Sequence, residues 1–182
     1  MPTFSSFAGA ALPWQNFYLL TGEAAATLVG LMFVAVTFGS SMVTEESAPL
    51  ARAFLDPTLT HFVQVLFTAC LLTIPNLDPR VLGAFLIVMA ALRLSTTVRV
   101  YRQMRRATQR PEHDIELSDW LSGIVFPTLC YLVLAATGVA FLIRCAFAFD
   151  GLAIATLSTL VIGLYGSWEM LVWMAIVRSR KK

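Results

Sequence analysis

Charge is what this sequence has least of. Only 13% of its 182 residues are Asp, Glu, Lys or Arg, while 58% are hydrophobic. A water-soluble domain carries about 25% charged residues, so too little polar surface is available to cover a soluble globule, and lipid is the solvent that accepts this composition. Basic residues are absent before Arg52, which removes the basic region of an ordinary secretion signal. The net charge of +2 gives no electrostatic footprint for nucleic acid. The three cysteines (Cys70, Cys130, Cys145) form no CxxC pair, which argues against a disulfide framework or a zinc site. No GxSxG, HExxH or phosphate-binding glycine loop occurs, and two histidines, one of them in a polar loop, leave no paired haem ligands inside a membrane. We therefore expect no enzyme and no cofactor.

What is present is a series of long apolar runs. A membrane-crossing helix takes about 20 apolar residues. The pattern predicts an all-α transmembrane bundle, one domain over the whole chain, with spans at 17–43, 57–74, 81–103, 120–143 and 151–177. Treating 57–74 as re-entrant would leave four. Trp14 and Tyr18 are expected as interfacial anchors of the first span, with residues 1–13 lying in the interface. Asp56-Pro57 and Asp78-Pro79 each read as a helix start, an acceptor followed by a proline whose missing N–H costs nothing there. Asp150 reads as a cap for the last span. All the basic residues except Arg80, Arg93 and Arg144 fall on one side if the 104–119 loop and the C-terminus are cytoplasmic. The positive-inside bias then puts the N-terminus outside.

Charge inside a bilayer costs about 2.5–3.5 kcal/mol per residue on insertion scales, so Glu23, Arg93 and Glu169 need partners or water. The first span has a stripe, Glu23, Thr27, Gly30, Val34, Thr37 and Ser41, spaced to share one helix face. Beside it runs Gly22-xxx-Ala26-xxx-Gly30, a spacing that permits close helix approach. Two readings stand. The stripe is a dry packing face, or it lines a water-filled path in an oligomer, with Glu23 as a ring of charge favouring cations and Val34 or the neighbouring Phe38 as an apolar constriction.

A second constellation combines His61, Gln64, Arg93 and Glu169, with Thr68 continuing the His61–Gln64 face. Arg93 and Glu169 both fall roughly 12–14 Å from the cytoplasmic boundary by helix rise, where an ion pair is possible. It reads either as a structural salt bridge with a polar contact that fixes register, or as a proton or ion relay. In the last span Ala155, Thr159, Gly163 and Ser167 recur at steps of four, a further close-packing stripe. Arg93, Arg99, Arg102 and Arg105 recur at multiples of three, as in a voltage-sensing helix. Most of them lie beyond the membrane boundary, and with Arg106 they read better as contacts for anionic lipid head groups. Glu112, His113, Asp114 and Glu116 read as a solvated loop rather than metal ligands.

The opening stretch Trp14-Gln15-Asn16-Phe17-Tyr18, then Gly22-Glu23-Ala24-Ala25-Ala26-Thr27-Leu28-Val29-Gly30-Leu31-Met32-Phe33-Val34-Ala35-Val36, resembles the first helix of a broad set of small, uncharacterised bacterial multi-span proteins. The resemblance is limited to this helix. It implies a bacterial inner (plasma) membrane location and no activity, cofactor or catalytic residue.

Three expectations of function follow. The first is a homo-oligomeric channel or pore for inorganic cations, lined by the first span. The second is a non-transporting subunit or regulator of a larger membrane complex. The third is a small proton-coupled carrier using His61, Arg93 and Glu169.

Overall fold

The computed structural model describes residues 7–39, 48–107 and 125–180, with side chains described for 7–39, 55–98 and 125–172. Among these residues the chain is helical, with no strand. A short helix α1 (Phe7–Ala11) and a 3₁₀ turn (Leu12–Trp14) lead into α2 (Gln15–Gly39), followed by α3 (Ala48–Leu72), α4 (Pro79–Ala107), α5 (Phe126–Leu142) and α6 (Ala148–Arg180). Pro13 sits in the 3₁₀ turn, where its lack of an N–H separates α1 from α2.

Four of these segments, Phe7–Gly39, Leu55–Leu72, Pro79–Val98 and Ala148–Val172, are long and apolar enough to cross a bilayer. The fifth, Phe126–Leu142, has 17 residues, which span about 25 Å against a hydrocarbon core of about 30 Å. The preceding residues 120–124 of the expected span lie outside the described residues. Large apolar side chains are exposed along these helices, among them Leu20, Phe33, Leu129, Val161, Trp168 and, at 78%, Phe38. Apolar surface on that scale is not tolerated by water. The chain is an integral membrane protein.

The two expected proline starts differ in outcome. Asp78 does cap α4: its Oδ1 accepts from the Arg80 N–H at 2.9 Å and its carbonyl from the Val81 N–H at 2.9 Å. Pro79 takes the first helical position, where no donor is needed. Asp56-Pro57 is not a start. α3 begins at Ala48 and runs through Pro57. A single proline removes one backbone bond, and a membrane helix tolerates it when nearby side chains rebind the backbone. Asp150 is likewise not a cap, because α6 starts two residues earlier. It falls in the first turn, where its charge suits the helix dipole. The connections use left-handed residues: Asn76 (φ 55°) between α3 and α4, and Arg144 (φ 55°) just after α5. Asn accepts that region more readily than most residues.

The chain divides into two compact units. The first comprises residues 1–14 and 75–155, the second 15–74 and 156–182. In the first unit α4 pairs with α5. Their closest approach is glycine on glycine: a Cβ on Gly83 would lie 2.6 Å from the Gly138 carbonyl oxygen, and one on Gly138 would lie 2.7 Å from Ile87 Cγ1. Leu82, Leu86 and Ala90 of α4 and Leu134 and Phe141 of α5 are buried there. The same unit holds an aromatic cluster in which Phe149 packs against Phe7 (5.5 Å), Phe141 (5.1 Å) and Trp14 (6.4 Å, stacked). Residues 7–14 are thus tied to the first unit through Phe7 and Trp14.

In the second unit α2 pairs with α3. Gly22 meets Ala69, with a Cβ there only 2.8 Å from the Ala69 Cβ. Gly163 of α6 accepts the Phe62 ring, and Gly166 accepts Thr58. The close-packing stripe of the last span is borne out at Thr159 and Gly163, both buried, and Ser167 donates back to the Gly163 carbonyl at 3.0 Å. Tyr18 is no interfacial anchor. It is 2% exposed and meets Phe17 edge-on at 5.0 Å.

Candidate functional site

Helix α2 has two unlike faces. The inward one is Tyr18, Thr21, Gly22, Ala25, Met32 and Gly39, all buried. Successive residues turn by about 100°, which places Glu23, Thr27, Gly30, Val34 and Thr37 on the side opposite. All five are exposed, Val34 at 51%. The sixth residue of the stripe, Ser41, lies outside the described residues. The hydroxyls are satisfied within the helix: Thr27 donates to the Glu23 carbonyl and Thr37 to the Phe33 carbonyl, both at 2.8 Å. They carry no unmet donor and are compatible with lipid, water or another helix. Glu23 is different. It stands about 12 Å into α2 with an exposed side chain, where a carboxylate facing hydrocarbon is costly.

The Gly22-xxx-Ala26-xxx-Gly30 spacing is split between these faces. Gly22 is filled by Ala69, whereas a Cβ on Gly30 would meet nothing within 4 Å, and Ala26 is exposed. A step of four advances by only 40° beyond a full turn, so eight residues carry the series off the inward face.

The interior of the second unit is unexpectedly polar. Thr21, Thr58, His61, Gln64, Thr68, Thr156 and Thr159 are all buried. His61, Gln64 and Thr68 follow one face of α3 as expected, and Thr68 donates to the Gln64 carbonyl at 2.9 Å. Gln64, only 4% exposed, keeps its Oε1 without a hydrogen-bond partner among the described residues. The threonines at 21, 58 and 156 were not singled out by the sequence. Each sits in an apolar run as a single hydroxyl, and only the packing of α2, α3 and α6 groups them.

Glu169 is half-buried on the part of α6 that belongs to the second unit, and Arg93 belongs to the first. Within its own unit Arg93 interacts electrostatically with Tyr131 of α5, which is 3% exposed. Tyr131 was missed because it lies inside an apolar run. The antiparallel register set by Ile87 and Gly138 places it opposite Arg93, since the six residues from Ile87 to Arg93 along α4 correspond to about the seven from Gly138 back to Tyr131 along α5. Arg99, Arg102, Arg105 and Arg106 continue on the helical backbone of α4. The Glu112–Asp119 loop lies outside the described residues. Among the described residues no three His, Cys, Asp or Glu side chains gather as a metal site.

Comparison of the chain with protein-family models, with curated proteins and with solved structures gives no match in any of the three.

Proposed function

We propose that the protein is a homo-oligomeric cation channel of a bacterial inner membrane, with α2 of each copy turned toward a shared water-filled path. The observation that carries this reading is the outward placement of Glu23, Thr27, Gly30, Val34 and Thr37, opposite the face of α2 that packs within its own unit. A symmetric ring of α2 helices gives Glu23 both water and a role. Repeated carboxylates at one level attract cations and exclude anions. Gly30 leaves room for a neighbouring helix, and the apolar Val34 one turn on supplies a constriction.

The same face supports a second reading. Exposed Ala26 and Gly30 are also what a non-transporting subunit would offer to a helix of a larger complex. Two measurements separate these readings. Light scattering of the detergent-solubilised protein, corrected for detergent, gives a closed oligomer of three or more copies under the channel reading and a monomer under the other. In liposomes, Glu23→Gln then lowers the preference for cations over anions. An unchanged preference removes the charge ring.

A further inference from the structure

Arg93 has a donor to spare at membrane depth. It lies about 21 Å along α4 from Pro79, and its Nη2 is buried with no hydrogen-bond partner among the described residues. A lysine in that position could shed its proton, but a guanidinium keeps its charge in a protein. Burial is therefore relieved only by an acceptor oxygen, and an anionic one is favoured.

Among the described residues its own unit supplies none at that level. The register that sets Ile87 against Gly138 brings Arg93 to within about one residue of the level of Tyr131, whose phenol offers one neutral hydrogen bond and no charge. The carboxylates in the described part of the unit are Asp78 and Asp150. Asp78 caps the start of α4, about 22 Å along the helix from Arg93. Asp150 is in the first turn of α6. Toward the C-terminal end of α4 the next polar side chains are Ser95, Thr96 and Thr97. Their hydroxyls donate to the carbonyls of Leu92 and Arg93, so their protons are not available to an anion. Beyond them come Arg99, Arg102, Arg105 and Arg106, which raise the local concentration of anions at that membrane surface.

We propose that Arg93, with Tyr131 beside it, is the innermost point of an anion site and holds the phosphate group of a ligand entering from the C-terminal end of α4. The guanidinium fork suits phosphate oxygens, which it binds in pairs. On the charge bias that end faces the cytoplasm, where anionic lipid is enriched. An acidic phospholipid head group and a free phosphate share this chemistry. The proposal is independent of how α2 is used.

The test is native mass spectrometry of the full-length protein in detergent, titrated with phosphatidylglycerol, with phosphatidylcholine or with inorganic phosphate. Wild type should retain one phosphatidylglycerol molecule that Arg93→Gln releases, with an affinity loss of roughly tenfold or more, as expected for a charged hydrogen bond. Arg93→Lys, which keeps the charge but not the fork, should fall between them and controls for misfolding. Displacement of that lipid by inorganic phosphate would identify a free anion as the ligand, and its persistence would identify a lipid. Equal retention by wild type and Arg93→Gln, or equal retention of phosphatidylcholine and phosphatidylglycerol, overturns the site. A gain in phosphatidylglycerol binding on Glu169→Gln also overturns it, because Arg93 would then have been neutralised by a protein carboxylate.

Discussion

The inward and outward faces of α2 are built from nearly the same alphabet. One has Thr21, Gly22 and Ala25, and the other has Thr27, Gly30 and Thr37. Yet Gly22 is pressed against Ala69, while Gly30 has open space in front of it. The difference is not chemical but positional: α3 occupies one side of the helix and none of the described residues fills the space before Gly30. Small and hydroxyl residues mark surfaces where a helix meets something other than a lipid tail. On the inward side that partner is the chain itself. On the outward side the channel reading proposed above assigns that role to water, in keeping with the exposed Glu23 carboxylate.

The largest effect should come from filling the inward glycine. Gly22→Val places branched carbons where even one Cβ comes within 2.8 Å of Ala69 Cβ. That contact is to a side chain that cannot swing away, so α2 and α3 must separate. Overpacking of this kind costs about 1–3 kcal/mol or more. The melting temperature in detergent should drop by several degrees, and Ala69→Gly in the same chain should recover part of the loss. A Gly22→Val protein as stable as wild type would mean that the two helices are not held at this crossing.

The corresponding change outside should leave the monomer intact. Gly30→Ala meets no neighbour and replaces the poorest helix former but proline, so the fold should gain about 0.5–1 kcal/mol. Gly30→Leu should likewise melt no lower than wild type. If copies of α2 pack at this glycine, however, the leucine should lower the oligomer mass seen by light scattering. Loss of stability together with loss of mass would place Gly30 in the fold itself and erase the contrast with Gly22.

How much of this was legible beforehand depends on which property is asked about. Helix placement was readable from hydropathy, because a bilayer demands long apolar runs, and the Asp78-Pro79 start was readable because both residues act locally. Asp56-Pro57 has the same local signal and is not a start, since propensity yields where the helix continues through a tolerated proline. Tyr18 looked like an anchor by type and is core, because its exposure is decided by a neighbouring helix. The polar interior around Gln64 was half visible. His61 and Gln64 stand out in an apolar run, but Thr21, Thr58 and Thr156 join them only through packing. For the five described residues of the α2 stripe, periodicity gave a shared face, but not which of the two faces is filled by the chain.

The smallest change is the most discriminating for the outward face. Thr27→Val and Thr37→Val keep the side-chain shape and replace a hydroxyl by a methyl. Each hydroxyl is bonded to a carbonyl of its own helix, and such back-bonds contribute little to helix stability. The melting temperature of the double variant should therefore stay within about 0.5 kcal/mol of wild type in equivalent stability. Flux is another matter. A hydroxyl that donates to a carbonyl still presents lone pairs to water or a passing cation, and valine presents none. If the stripe is wet, cation flux through liposomes should fall severalfold while the fold is untouched. If it is a dry contact between helices, the added methyls should leave flux at background and the oligomer mass unchanged. The two variants thus separate water from packing on the side of α2 that points away from its own chain, which burial alone does not distinguish.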